Sequence, residues 1–136
     1  MRKIDKIIIH CSATNPSHDI NADDVRGWHK RKGWRDIGYH YFIKLDGTIE
    51  NGRPIQEVGA HCFGHNKNSV GICYAGGVDF DGSPKDTRTE EQKKAIKLTI
   101  EVLQHIIKKE GMTATVHGHN EFSNKACPSF NVKTQL

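Results

Sequence analysis

A run of three isoleucines near the N-terminus, Ile7 to Ile9, constrains the fold of this chain more than any other feature. A short, continuous apolar run of this kind predicts a buried strand, which we place over residues 3 to 9. A second apolar run, over residues 69 to 74, ends at Gly76 and Gly77 and predicts another strand. Buried strands need other elements to cover their faces, so we expect helices elsewhere in the chain.

Two helices are predicted from their capping signals. Asn21, followed by Asp23 and Asp24, is a favourable N-cap for a helix over residues 22 to 32 that ends at Gly33. A capping box over residues 89 to 92 starts a second helix, which ends at Gly111. The second helix carries one apolar stripe at helical spacing: Ala95, Ile96, Thr99, Ile100, Leu103, Ile106 and Ile107.

The remaining segments complete a single α/β domain. Residues 39 to 44 and 48 to 51 flank Asp46 and Gly47, a strong hairpin signal. Residues 53 to 68 lack periodicity and are predicted to form a long loop, and residues 113 to 117 a last strand. We therefore predict one domain over residues 1–136, with a central mixed β-sheet flanked by helices and functional loops at the strand ends.

Composition limits the classes of partner. The 136 residues are 35% hydrophobic and 26% charged, which is typical of a soluble globular domain. The net charge of +4 does not indicate a nucleic-acid-binding protein, and the short basic clusters fall at predicted helix ends. No segment is long enough to cross a membrane, and no signal peptide is visible. We expect a cytoplasmic protein with neither membrane nor nucleic acid as its partner.

A cluster of reactive side chains lies near the C-terminus. It contains His117, His119, Glu121, Lys125 and Cys127. Imidazole and thiolate are ligands that zinc prefers, and a catalytic zinc needs three protein ligands and one open position for water. The cluster therefore predicts a hydrolytic zinc site in a groove at the strand ends.

The residues alone leave the ligand set open. His117 and His119 could both point to one side of a strand and bind together, or either could bind with Cys127. A nucleophilic Cys127 with His119 as its base is a further alternative, although no pattern specific to a cysteine peptidase is present. Among the distant candidates for the third ligand, His10 is favoured because a rigid strand holds it; the others are His18, His29, His40, His61 and His65.

Several motifs, taken in order, resemble one family. They are Ile9-His10-Cys11-Ser12-Ala13-Thr14, Gly38-Tyr39-His40-Tyr41, Asp46-Gly47-Thr48, Gly59-Ala60-His61, Asn68-Ser69-Val70-Gly71-Ile72, Gly118-His119-Asn120-Glu121 and Lys125-Ala126-Cys127-Pro128-Ser129-Phe130. Together they resemble zinc-dependent N-acetylmuramoyl-L-alanine amidases, and most closely the phage lysozyme-type amidases. Animal peptidoglycan recognition proteins share the same fold. The resemblance covers nearly the whole chain, and it is specific because the motifs occur in the same order.

The resemblance implies a role for each matching position. His10, His119 and Cys127 match the three zinc ligands. Tyr39 matches a tyrosine required for catalysis, and Lys125 matches a catalytic lysine. A cationic amine beside the metal would stabilise the negative charge that develops on the carbonyl oxygen during attack, an effect of about 3 kcal/mol.

Two more histidines are assigned to the substrate groove. His61 matches a groove residue near the substrate, and His117 is expected to line the groove or to end the strand. Glu121 is interpreted as a structural carboxylate that orients the loop, rather than as a general base. The group that carries the proton to the leaving amine stays open among Tyr39, Lys125 and His61.

The implied reaction is hydrolysis of the amide bond between N-acetylmuramic acid and L-alanine in peptidoglycan. We expect a phage or prophage endolysin, with a cytoplasmic recycling enzyme as the alternative; an endolysin would reach the cell wall after membrane disruption. The substrate would be peptidoglycan or a muropeptide, and we expect a monomer. A peptidoglycan-binding module without catalysis is the rival class. Some phage amidases also bind an RNA polymerase, but no feature of this sequence identifies such a surface.

Overall fold

Five strands form one mixed sheet in the computed structural model, which describes residues 1–136. The spatial order is β3-β2-β4-β1-β5. Strand β1 is parallel to both β4 and β5, β2 is parallel to β4, and only the edge strand β3 is antiparallel. The strands are β1 (Lys6–Cys11), β2 (Tyr41–Ile43), β3 (Ile49–Asn51), β4 (Ser69–Tyr74) and β5 (Thr115–Gly118). The mixed sheet predicted from the sequence is confirmed.

The isoleucine run lies in β1, which has a paired strand on each side. Ile7 and Ile9 belong to the larger hydrophobic core, whereas His10 packs against other aromatic rings on the opposite face. The strand begins later than predicted and continues through Cys11, because its pairing with β4 extends to Tyr74. His10 therefore lies inside the strand rather than after it, where backbone hydrogen bonds fix its position.

Helix α1 (Ala22–Arg31) and helix α2 (Glu90–Lys109) cover the two faces of the sheet, as predicted. Both begin with the expected capping residues, each completed as a capping box. The stripe of α2 is buried as predicted, except that Ile106 is only half-buried. None of the helices is both long and apolar enough to cross a membrane. A 3₁₀ turn (His119–Glu121) and a short helix α3 (Val132–Gln135) were not predicted.

The predicted hairpin joins β2 to β3, and its turn lies against the start of α2. Gly47 has a φ of 86°, and a side chain there would come within 2.8 Å of the Glu91 carbonyl oxygen. The Thr89 hydroxyl accepts a hydrogen bond from the Gln92 N–H at 3.0 Å and donates one to the Leu45 carbonyl at 2.8 Å. One side chain therefore caps α2 and ties it to the hairpin.

We predict that Thr89→Ala lowers the free energy of unfolding by about 1 kcal/mol, because the cap and its contact with the hairpin are both lost. Urea unfolding followed by circular dichroism measures the change. Thr113→Ala is the matched control, because Thr113 is exposed. Equal stability of the two variants would contradict the capping role.

Candidate metal centre

Three side chains from distant parts of the chain meet at one end of the sheet. His10, His119 and Cys127 each offer a ligand atom, and these atoms all lie within 4.8 Å of one another. His10 is the penultimate residue of β1, and His119 directly follows β5. Cys127 lies in the loop before α3. Parallel pairing of β1 with β5 brings the first two together, and the loop brings the third.

The Cys127 sulfur is held against β1. The Cys11 N–H donates to it at 3.1 Å, and the sulfur lies 3.8 Å from His10 Nδ1. The loop itself is anchored to the sheet, since the buried Tyr74 hydroxyl donates to the Pro128 carbonyl at 2.7 Å. The Ser129 hydroxyl likewise donates to the Gly77 carbonyl at 2.7 Å. These bonds fix the direction from which the thiol approaches His10.

Glu121 shapes the turn that presents His119. One carboxylate oxygen accepts a hydrogen bond from the Gly118 N–H at 2.7 Å, and the other lies 2.8 Å from His117 Nδ1. The turn places the His119 ring 4.6 Å from the His10 ring, measured between centroids. Glu121 thus orients the loop, as its structural interpretation predicted.

The two tail histidines do not act as a pair. Because β5 ends at Gly118 and the 3₁₀ turn starts at the next residue, His117 and His119 do not share one extended segment. The His117 ring is instead bound to Thr115 Oγ1 at 2.7 Å and to Glu121, and it packs on Phe122. His117 is therefore outside the group of three ligand atoms. Its predicted contact with the substrate stays a prediction.

Three of the other histidines that were candidates for the third ligand lie outside the ligand group. His29 accepts a hydrogen bond from the Gly38 N–H at 2.9 Å and packs on Trp34. His65 stacks on Phe122, with ring centroids 4.2 Å apart, and His18 is exposed. His10 alone joins the tail residues in the ligand group.

His61 lies next to His10 rather than on an open surface. Its Nδ1 atom is 2.8 Å from His10 Nε2, and the residue is only 8% exposed. The rings meet edge to face, with centroids 4.9 Å apart. The resemblance implied a groove residue near the substrate; the contact in the structure is with a candidate metal ligand.

Tyr39 and Lys125 flank the cluster in different ways. The Tyr39 ring lies 5.1 Å from the His10 ring between centroids. Burial and the neighbouring cysteines raise the pKa of its phenol well above the ordinary value, so the group keeps its proton at neutral pH. Lys125 is exposed on the loop. Burial, and after it the charge of Lys125, lowers the pKa of His119.

The protonation state of His10 suits a metal ligand, and the contacts of Cys127 do not suit a nucleophile paired with His119. Burial, together with the nearby His61 and His119, lowers the pKa of His10 well below the ordinary range, so its imidazole is neutral at pH 7. The imidazole within hydrogen-bonding distance of the Cys127 sulfur is that of His10, at 3.8 Å, and not that of His119. A nucleophilic cysteine needs its base within hydrogen-bond reach, so the alternative of Cys127 acting with His119 as its base is disfavoured.

The donor set fits zinc. Two imidazole nitrogens and one sulfur are ligands that zinc prefers, and three protein ligands are the number found in catalytic zinc sites. A tetrahedral ion with bonds of roughly 2.0 to 2.3 Å holds its ligand atoms about 3.5 Å apart. The Cys127 sulfur and His10 Nδ1, at 3.8 Å, are close to that spacing.

The supporting role of His40 was not predicted, because the sequence analysis named this residue only as a candidate ligand. His40 accepts a hydrogen bond from the Gly71 N–H at 3.0 Å, and its Nε2 lies 2.7 Å from the Glu57 carbonyl oxygen. Its ring also packs edge to face against His61, with centroids 5.9 Å apart. One signal was available at Gly59, because a Cβ there would come within 2.8 Å of His40 Cε1, and glycine is typical where another group approaches the backbone closely.

Comparison with known proteins identifies the family of this chain. Residues 1–130 match the family described as N-acetylmuramoyl-L-alanine amidase. The endolysin of Escherichia phage T7 is 43% identical over 129 residues, covering 95% of this chain and 83% of that protein. The chain therefore belongs to the N-acetylmuramoyl-L-alanine amidase family, and it is an enzyme, as the resemblance implied.

Two solved structures extend the comparison. The N-acetylmuramoyl-L-alanine amidase LysC from Clostridium intestinale is 28% identical, with a TM-score of 0.77, covering 96% of this chain and 79% of that one. Peptidoglycan recognition proteins LCa and LCx, solved as a complex bound to tracheal cytotoxin, give 26% identity and a TM-score of 0.74, covering 94% of this chain and 77% of the matched one. The predicted fold shared with recognition proteins is therefore confirmed.

We predict that the protein loses stability as the pH falls from about 6.5 to 4, in part through His40. Burial lowers its pKa from 6.5 to about 4. The unfolded chain then binds more protons than the folded one in this window, so stability is full above the unfolded pKa and declines towards the folded pKa. The shift corresponds to roughly 3 kcal/mol.

Urea unfolding at several pH values, with a chelator present throughout, measures this dependence. In His40→Asn the amide oxygen can still accept the Gly71 N–H, but nothing titrates, so the slope of stability against pH should decrease. His18→Asn is the matched control for the removal of an imidazole, because His18 is exposed. An unchanged slope in His40→Asn would contradict the prediction.

Proposed function

We propose that this chain is a zinc-dependent N-acetylmuramoyl-L-alanine amidase that works as a phage endolysin, with zinc held by His10, His119 and Cys127. The observation that carries the proposal is the convergence of these three ligand atoms within 4.8 Å. Zinc bound there would polarise the substrate carbonyl and lower the pKa of a bound water to about 7. Family membership supports the reaction, and the chemistry of the donor set supports the metal.

Tyr39 and Lys125 are proposed as the catalytic side chains. The phenol of the half-buried Tyr39 holds its proton at Oη, because desolvation raises its pKa, so it can donate a hydrogen bond beside the metal centre. The Lys125 ammonium group can approach the carbonyl oxygen on which negative charge develops. Lys125 lies two residues before the proposed ligand Cys127 in the same loop, which supports a position near the site.

The substrate is proposed to be peptidoglycan or a muropeptide derived from it. The similarity to a phage endolysin and to peptidoglycan recognition proteins supports this class of substrate. As an endolysin, the enzyme would be made in the cytoplasm and act on the cell wall after membrane disruption. We further propose a monomer, with the domain spanning residues 1–136.

Two measurements on the purified protein test the proposal. Elemental analysis should find about one zinc per chain. Digestion of defined muropeptides should release a free stem peptide whose N-terminal residue is L-alanine, which mass spectrometry detects. Removal of the metal with a chelator should abolish release, and added zinc should restore it. Zinc without any release of peptide would favour the rival class, a peptidoglycan-binding module without catalysis.

The ligand assignment is tested by replacing each of the two tail histidines, His117 and His119, with alanine. His119→Ala should lose zinc, because it removes one of the three ligands, whereas His117→Ala should retain it. Zinc content after gel filtration measures both. The opposite result would show that the ligand is His117.

The catalytic assignment predicts a loss of rate without a loss of metal. Tyr39→Phe and Lys125→Met should each lower kcat/KM by about 100-fold, the low end of what a proton-transfer or oxyanion-stabilising group contributes. Zinc content should be unchanged in both. The matched controls are Tyr41→Phe and Lys85→Met, which change the same chemical groups on other parts of the chain and should keep full activity. Full activity in Tyr39→Phe or Lys125→Met would remove that residue from the mechanism.

A further inference from the structure

We propose that His61 is a positioning residue whose ring fixes the orientation and the tautomer of the metal ligand His10. The inference rests on the proposed zinc site. It assigns His61 to the metal centre rather than to the substrate groove.

The two nitrogen atoms of the His10 ring face different partners. Nδ1 lies 3.8 Å from the Cys127 sulfur, on the side where the ligand atoms converge. Nε2 lies 2.8 Å from Nδ1 of His61. A metal on the Nδ1 side needs the lone pair of that nitrogen, so the ring proton of His10 must be on Nε2. From there the Nε2–H donates to Nδ1 of His61.

This assignment fixes the tautomer of His61 in turn. Because His61 Nδ1 accepts, the proton of the neutral ring is on Nε2, which lies 3.2 Å from the Ser69 hydroxyl oxygen. Two hydrogen bonds in series therefore run from the ligand His10 through His61 to the first residue of β4.

The His61 ring packs closely against the backbone at Gly59 and Gly71. A side chain at Gly71 would come within 2.7 Å of the ring, and one at Gly59 within 2.8 Å. The Asn66 side-chain oxygen accepts hydrogen bonds from the backbone N–H groups of His61 and Cys62, both at 2.8 Å. The ring has little freedom to turn, so it can impose its orientation on His10.

A direct role in substrate binding is less consistent with these contacts. Both ring nitrogens of His61 are occupied, one by His10 and the other by Ser69. The residue is 8% exposed. Partners of this kind orient metal-bound histidines and typically contribute 10- to 100-fold to metal affinity.

Zinc affinity of the full-length protein, measured by competition with a chromophoric chelator, tests the proposal. His61→Ala should weaken zinc binding by about 10- to 100-fold, because His10 loses its acceptor. His61→Asn should restore much of the affinity, since its amide oxygen can occupy the position of Nδ1. His18→Asn is the control and should bind zinc as the wild type does. Equal affinity in all four proteins would overturn the proposal.

A spectroscopic measurement on the wild type does not depend on how the variants fold. In ¹⁵N–¹H spectra of the zinc-loaded protein, His10 and His61 should each carry the ring proton on Nε2. A proton on Nδ1 of either ring would overturn the proposal. Thermal melting of the metal-free variants shows whether a loss of affinity reflects unfolding instead.

The outcomes separate this inference from the proposed function. If His61→Ala binds zinc normally but loses activity, His61 acts on the substrate, and the positioning role is wrong. If the wild type binds zinc but releases no peptide, the proposed amidase function fails. The positioning role would then still be supported by weaker zinc binding in His61→Ala and its recovery in His61→Asn.

Discussion

The parallel pairing of β1 with β5 is the constraint on which the site depends. Ile9 pairs with Gly118, so the residues that follow each of them, His10 and His119, come together at the same edge of the sheet. Side chains alternate between the faces of a strand, so a shift of β1 by one residue would turn His10 towards α2. The burial of Ile7 and Ile9 against α2 opposes such a shift. The hydrophobic pattern of β1 therefore also sets the position of the metal ligand.

Much of the fold could be predicted because its determinants are local. The isoleucine run, the capping residues Asn21 and Thr89 and the turn at Gly47 each act within a few residues, and each lies in the element it predicted. Strand ends were less accurate because they depend on partners. For β1, pairing with β4 extends the strand through Cys11, and the apolar run gives no sign of this.

The ligand set could be named only with the help of the family resemblance. Spacing alone allowed His117 and His119 to act together, because it takes no account of the turn that Glu121 stabilises between them. The contact between His10 and His61 joins residues far apart in the chain, and no local pattern encodes it. Its trace in the sequence is indirect: Gly59 and Gly71 carry no side chains, which leaves space for the imidazole ring.

The central place of β1 has a consequence for how the protein folds during synthesis. This strand is made first, but its two neighbours in the sheet, β4 and β5, are made much later. Until both have emerged, the apolar residues of β1 lack their partners, and contacts between such distant segments form slowly. The pair His10 and His119 is assembled only when β5 joins the sheet, so metal binding would report that the last strand has docked.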